Sequence, residues 1–131
     1  MSSLASILDY FNDVDDDEFL RLYEQAIAIF SRVEGSSSVN VAIGENNLAS
    51  AYKIRANRAE DANDRDRCIA NLELTLIHLR EAARIFRANN HVEKADILLH
   101  EITKVEEIIA ALAAGALAIA VVALAAAVTR R

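Results

Sequence analysis

An all-α fold of antiparallel helical hairpins, with about four long helices, is what this sequence predicts. Three observations carry that expectation. Proline is absent from all 131 residues and glycine occurs only three times, so little interrupts a helix. Apolar residues recur at spacings of three and four rather than two. The breaks between them, "GSSSVN", "AEDANDRD" and "NNH", are short and polar.

The first helix is expected over about Asp16 to Val33, with Phe19, Leu22, Tyr23, Ala26, Ile29, Phe30 and Val33 at helical spacing. The acidic run "DVDDDE" (Asp13 to Glu18) stands at its start, where carboxylates cap free amides and suit the positive end of the helix dipole. Gly35 can close this helix, and Ser38 or Asn40 can cap the next. The second helix, about Val41 to Ala59, carries Leu48, Ala49, Ala51, Tyr52 and Ile54. A turn follows within Ala59 to Asp66. The third helix, about Arg67 to Ala88, buries Ile69, Leu72, Leu76, Leu79, Ala83 and Phe86 before "NNH" ends it. The fourth begins near Val92 and meets no breaker before Val128 apart from Gly115. At about 37 residues it would be about 55 Å long, more than a small domain needs.

The net charge of −6 excludes a nucleic-acid binder of the usual kind, because no basic stripe replaces phosphate counterions. A single cysteine, Cys68, cannot form an internal disulfide and fits a reducing compartment, where it packs as a small apolar residue. The start "MSSLASILDYF" lacks the basic region and long apolar run of a secretory signal. There is no glycine-rich phosphate loop, no Gly-x-Ser-x-Gly elbow and no Cys-His pairing visible in sequence, so neither an enzyme nor a cofactor is expected.

An internal echo links "YEQAIAIF" (Tyr23 to Phe30) with "LREAARIF" (Leu79 to Phe86), matching Ala26 and Phe30 to Ala82 and Phe86. Between them stands "NNLASAY", Asn46 to Tyr52. Leu48, Ala49 and Tyr52 match the first-helix pattern of a tetratricopeptide repeat (TPR), and the Ala-Phe pairs match its second-helix pattern. The stretch from Tyr23 to Tyr52 resembles the kinesin-light-chain-like branch of that family, over about Phe19 to Asp96. Two departures stand beside the likeness. Tyr52 and Ala82 are 30 positions apart, whereas an ordinary repeat separates them by about nine, and the closing proline is missing.

The resemblance implies a non-enzymatic protein that binds a protein or peptide ligand in a groove, with Asn46 and Asn47 as contacts. On the second helix Asn46, Ser50 and Lys53 turn away from the expected core, and Asn47 borders both faces. Amides can hydrogen-bond an extended peptide, and Lys53 or Arg84 could hold a carboxylate. Two metal patterns fail on inspection. Asp13, Asp15, Asp17 and Glu24 have calcium-loop spacing, but Glu18 stands where that loop needs glycine. Glu93, Asp96 and His100 share a helical face without further ligands nearby, and no metal is expected.

The chain divides at residue 110, with the TPR-like helical domain over 1–109 and an apolar helix over 110–131. From Ala110 to Val128 there is no charge, and Thr129, Arg130 and Arg131 follow. Such a stretch spans about 29 Å, close to the roughly 30 Å hydrocarbon core of a bilayer. Its leucines, isoleucine and valines, Leu112, Leu117, Ile119 and Leu124 among them, contribute about −3 kcal/mol toward insertion. The pairs Ala111/Gly115 and Ala114/Ala118 allow close helix contact in lipid or in protein. The leading expectation is a TPR-like adaptor or scaffold inside the cell, held on a membrane through residues 110–128 and facing the cytosol. The alternative is a structural subunit whose alanine-rich helix packs into a homo-oligomer or a larger complex.

Overall fold

A computed structural model describes residues 16–129 of the chain. Four helices account for them, with no strand among the described residues: α1 Asp16–Glu34, α2 Val39–Asp61, α3 Arg65–Ala88 and α4 Val92–Thr129. The all-α fold therefore stands, with a long apolar last helix. Asp13 and Asp15 of the acidic run, and Arg130 and Arg131 of the tail, lie outside the described residues.

The breaks work through local backbone chemistry. Gly35 takes φ +99°, a left-handed conformation that suits glycine, and its amide closes α1 on Ser31 O at 3.0 Å. Ser38 then caps α2 by accepting the Val41 amide at 3.2 Å. Asparagine does glycine's work at the other two turns. Asn63 (φ 58°) and Asn90 (φ 65°) are both left-handed, and each sits in a Schellman closure. After α2, the Asp64 amide reaches Ala59 O at 2.8 Å and the Asn63 amide reaches Glu60 O at 2.9 Å. After α3, His91 N–H donates to Phe86 O at 2.8 Å, and the His91 ring packs edge-on against Phe86. Asp64 doubles as the cap of α3, accepting from the Arg67 amide at 3.2 Å.

α3 is the central helix, packed along both α2 and α4, while α1 rests on the outer side of α2. Ala42, Ala49 and Ala56, seven residues apart on α2, are all buried, so α2 can approach α3 closely. Leu72, Leu76, Ile85 and Phe86 of α3 fill the space toward α2 and α4, and Ala95, Ile102 and Val105 close it from α4. A second cluster joins α1 to α2 through Leu20, Leu48 and Ala51, with Tyr23, Ile27 and Tyr52 packed against it.

Two faces differ from the sequence expectation. α1 turns Leu20, Tyr23 and Ile27 inward, and leaves Leu22, Ile29, Phe30 and Val33 exposed. It carries two adjacent apolar stripes, and α2 is wide enough to cover one. The two halves of the echo are thus unequal: Ala82 and Phe86 are buried, whereas Phe30 is exposed. On α4, spacings of three and four from Val92 through Ala95, Leu99 and Ile102 place Leu99 on the packing seam, but Leu98 is buried there and Leu99 is exposed.

α3 and the first 24 residues of α4 have equal length, so α4 outruns the bundle. Ile109 and Leu112 still pack against the core, and the Arg65 guanidinium lies 3.9 Å from where a Cβ on Gly115 would stand. Beyond that point α4 continues as one helix to Thr129, and every side chain from Leu117 onward is exposed.

Candidate functional site

The most unusual feature is this uncovered end of α4. Among the described residues it is the one helix long and apolar enough, by length and composition, to cross a membrane, and none of its apolar window is buried. Leu117, Ile119 and Leu124 of the expected apolar segment are exposed, while Leu112 and Gly115 are half-covered by the start of α3. The segment therefore has two parts. Residues 110–115 run beside the α2–α3 turn, and residues 116–128 project freely for about 20 Å.

A charged collar marks the boundary. Glu60, Asn63, Arg65, Cys68 and Leu112 line a depression of about 410 Å³ where α4 leaves the bundle. Asp61, Asp64, Asp66 and Arg67 belong to the same turn region and are exposed. Burial pushes the Cys68 thiol up, reinforced by the nearby Glu60 carboxylate, so the sulfur stays a protonated packing atom. A free helix of about 20 Å is shorter than the roughly 30 Å hydrocarbon core. The full stretch from Ala110 to Val128 extends about 29 Å, and its first six residues, 110–115, run beside this collar.

A polar layer lies deeper in the bundle. His78 Nδ1 and Glu45 Oε2 pair at 2.5 Å between α3 and α2, and the Tyr52 ring stacks on His78 with centroids 5.5 Å apart. Burial raises the Tyr52 hydroxyl above its ordinary value, with Glu24 adding to the effect and Arg55 opposing it. Thr75 donates to Asn71 O and Asn71 donates to Arg67 O, each at 2.9 Å, so these two buried side chains are satisfied by their own helix.

The residues expected to bind a partner do not converge on one groove. Lys53 crosses to α4 and pairs with Glu101 at 2.5 Å. That hydrogen bond holds the Glu101 carboxyl below the usual range, against the opposing effect of burial. Ser50 is exposed and donates to Asn46 O at 3.2 Å, and Asn47 is exposed. Arg84 lies on another helix, bonded to Glu81 through two nitrogens at 3.0 and 2.6 Å. It borders a shallow groove of about 230 Å³ floored by Ala83, Leu99 and Ile102. Glu93, Asp96 and His100 are exposed, and among the described residues no cluster of three or more His, Cys, Asp or Glu side chains could hold a metal ion.

Sequence reasoning did not find the Glu45–His78 pair, the Lys53–Glu101 bridge or the approach of Arg65 to Gly115. The interior glycine Gly44 was a usable signal, since glycine inside a helix marks a close approach. The ion pairs join positions 33 and 48 residues apart and leave no local trace. Comparison with protein-family models, curated proteins and solved structures finds no match.

Proposed function

We propose that this protein is a non-enzymatic helical scaffold, TPR-like in its use of small residues between helices, tethered through the end of α4 to an intracellular membrane. One observation carries the tether: an apolar helix leaves the bundle past a charged collar and has no protein cover among the described residues. Apolar surface of that extent is stable only in lipid or against another chain. In this reading the collar rests in the headgroup layer, residues 110–128 cross the hydrocarbon, and the bundle displays α1 and α2 to a protein partner. Buried Leu48, Ala49, Ala82 and Phe86 support the repeat-like packing, and exposed Asn47 and Ser50 support a partner surface on α2.

The test is flotation with phosphatidylcholine vesicles, comparing the full chain with one ending at Gly115, which keeps Leu112 in place. The full chain floats and the shortened one stays in the soluble fraction. If the shortened chain floats equally, or the full chain is a soluble monomer without lipid or detergent, the tether is excluded.

A second reading rests on the short reach of the free segment. Residues 116–128 project about 20 Å, and the close spacing of Ala111/Gly115 and Ala114/Ala118 suits packing of α4 against a second α4. A discrete oligomer in detergent-free buffer, converted to monomer by the same truncation, would favour this reading.

A further inference from the structure

A basic cleft stands against the acidic balance of the chain. Arg55 and Arg58 of α2 and Arg67 of α3 line a depression of about 220 Å³. Arg55 and Arg58 lie at i and i+3, and Arg67 and Asn71 at i and i+4, so each pair shares one face of its helix. Ala59, small and buried, leaves room between the two helices. Asn71 is buried beside the cleft, and its bond to Arg67 O at 2.9 Å ties it to that turn of α3. Among the described residues Asp64 is the one carboxylate in the lining, and its Oδ1 accepts the Arg67 amide at 3.2 Å. Three guanidinium groups therefore stand around one carboxylate, in a chain whose net charge is −6. Arg55 also meets Asp17 at 3.3 Å, a weak pair because Asp17 is 77% exposed to water. Arg67 makes no ion pair among the described residues.

We propose that this cleft binds a phosphomonoester dianion, with Arg55, Arg58 and Arg67 as its ligands. The planar guanidinium fork matches phosphate oxygens two at a time, and three forks around one site favour two negative charges over one. A phosphomonoester carries both near neutral pH, because its second proton leaves at about pH 6, whereas a phosphodiester keeps a single charge. A water takes about 30 Å³ of liquid, so the cleft holds several and admits a phosphoryl group in their place. Its position points to the source. The cleft flanks the α2–α3 turn, and the same turn lines the depression where α4 leaves the bundle. A phosphorylated lipid headgroup is therefore the expected bearer of the group, and this choice of source rests on the tether through α4. The binding chemistry does not, since inorganic phosphate presents the same dianion.

Two arms test the site and its source in the full chain. In the first, the protein in nonionic maltoside micelles is titrated with inorganic phosphate above its second pKa, at constant ionic strength. NMR of the arginine Nε–Hε groups reads the binding, and Arg55, Arg58 and Arg67 should shift together and saturate. Arg67→Gln, an exposed position, should weaken binding about tenfold. Arg87→Gln removes the same charge near the far end of α3 and should change it less than about twofold. Shifts that do not saturate, or equal affinities of the two variants, overturn the proposal. In the second arm the same proteins bind phosphatidylcholine vesicles, alone or with phosphatidic acid or phosphatidylserine at matched surface charge. A preference for phosphatidic acid that Arg67→Gln abolishes assigns the group to lipid. Equal binding to both anionic vesicles overturns the lipid source, and saturable phosphate binding in micelles then assigns the site to a soluble phosphomonoester. A chain that binds no vesicle loses the tether, and the first arm still decides the site.

Discussion

Gly44 of α2 lies so close to Ile27 of α1 that a Cβ added to the glycine would stand 2.7 Å from Ile27 Cγ1. No real Cβ contact is that short, so Gly44 is where α1 seats on α2. Gly44→Ala forces Ile27 to move and costs about 1–3 kcal/mol for overpacking, offset by about 1 kcal/mol of helix propensity. In an Ile27→Ala background the obstructing atom is gone, and the same substitution becomes neutral or slightly stabilising. Chemical denaturation of the four proteins of this cycle measures the coupling. Equal effects of Gly44→Ala in both backgrounds would show that the contact does not seat α1.

The bridge from Lys53 to Glu101 sets an acid limit on the bundle. The folded carboxyl of Glu101 titrates below its unfolded value, first because Lys53 donates a hydrogen bond to it. Its stabilisation is therefore complete above the unfolded value, about 4.3, and is lost as pH falls through the lower folded value. Both side chains are partly exposed, so the effect is modest, about 0.5–1 kcal/mol. Glu81 shifts in the same direction through Arg84, which makes the informative quantity a difference between proteins. Melting temperatures of the native chain and Lys53→Met should differ most near neutral pH and converge toward pH 3. A constant gap would contradict the assignment.

His78 and Glu45 form a more enclosed pair, with side chains 21 and 13% exposed. His78→Leu leaves the Glu45 carboxylate without that partner and costs about 1–3 kcal/mol. The double change Glu45→Leu with His78→Leu removes both polar groups and recovers most of the loss, since an apolar pair of similar volume fits the same layer. Thermal melts of the single and double variants decide this. A double variant no more stable than His78→Leu alone would show that the polar pair stabilises in its own right.

Helix positions were legible in the sequence because their ends are local events. Gly35, Asn63 and Asn90 take left-handed backbone, Ser38 and Asp64 cap, and each leaves a polar signature in a short window. The face that α1 buries was not legible. Both the Leu20–Tyr23–Ile27 stripe and the Leu22–Ile29–Val33 stripe satisfy helical spacing, and the buried one is the one that meets Gly44, Leu48 and Ala51 on another helix. The same limit applies to the expected partner residues. Lys53 looked free in sequence because Glu101 lies 48 residues away on another helix. The division of the apolar segment near Gly115 was likewise hidden, since it depends on where Arg65 begins α3.

That division yields the sharpest prediction about the tether. If residues 110–128 cross a bilayer, the start of α3 is drawn to the lipid surface, because Arg65 sits beside Gly115. The guanidinium can then bond lipid phosphate, whereas a carboxylate at that point would face anionic headgroups. Arg65→Glu should weaken binding to vesicles containing phosphatidylserine by about 2 kcal/mol, roughly thirtyfold, at about 1 kcal/mol for each unit of charge. Binding to neutral vesicles should change far less, since the apolar term is untouched. High salt should shrink the difference on anionic vesicles, because the Debye length falls to about 3 Å at 1 M. Vesicle flotation across lipid compositions and salt concentrations measures all three. Equal binding of the native and Arg65→Glu proteins to anionic vesicles would place the collar away from the membrane, and would favour α4 packing against protein.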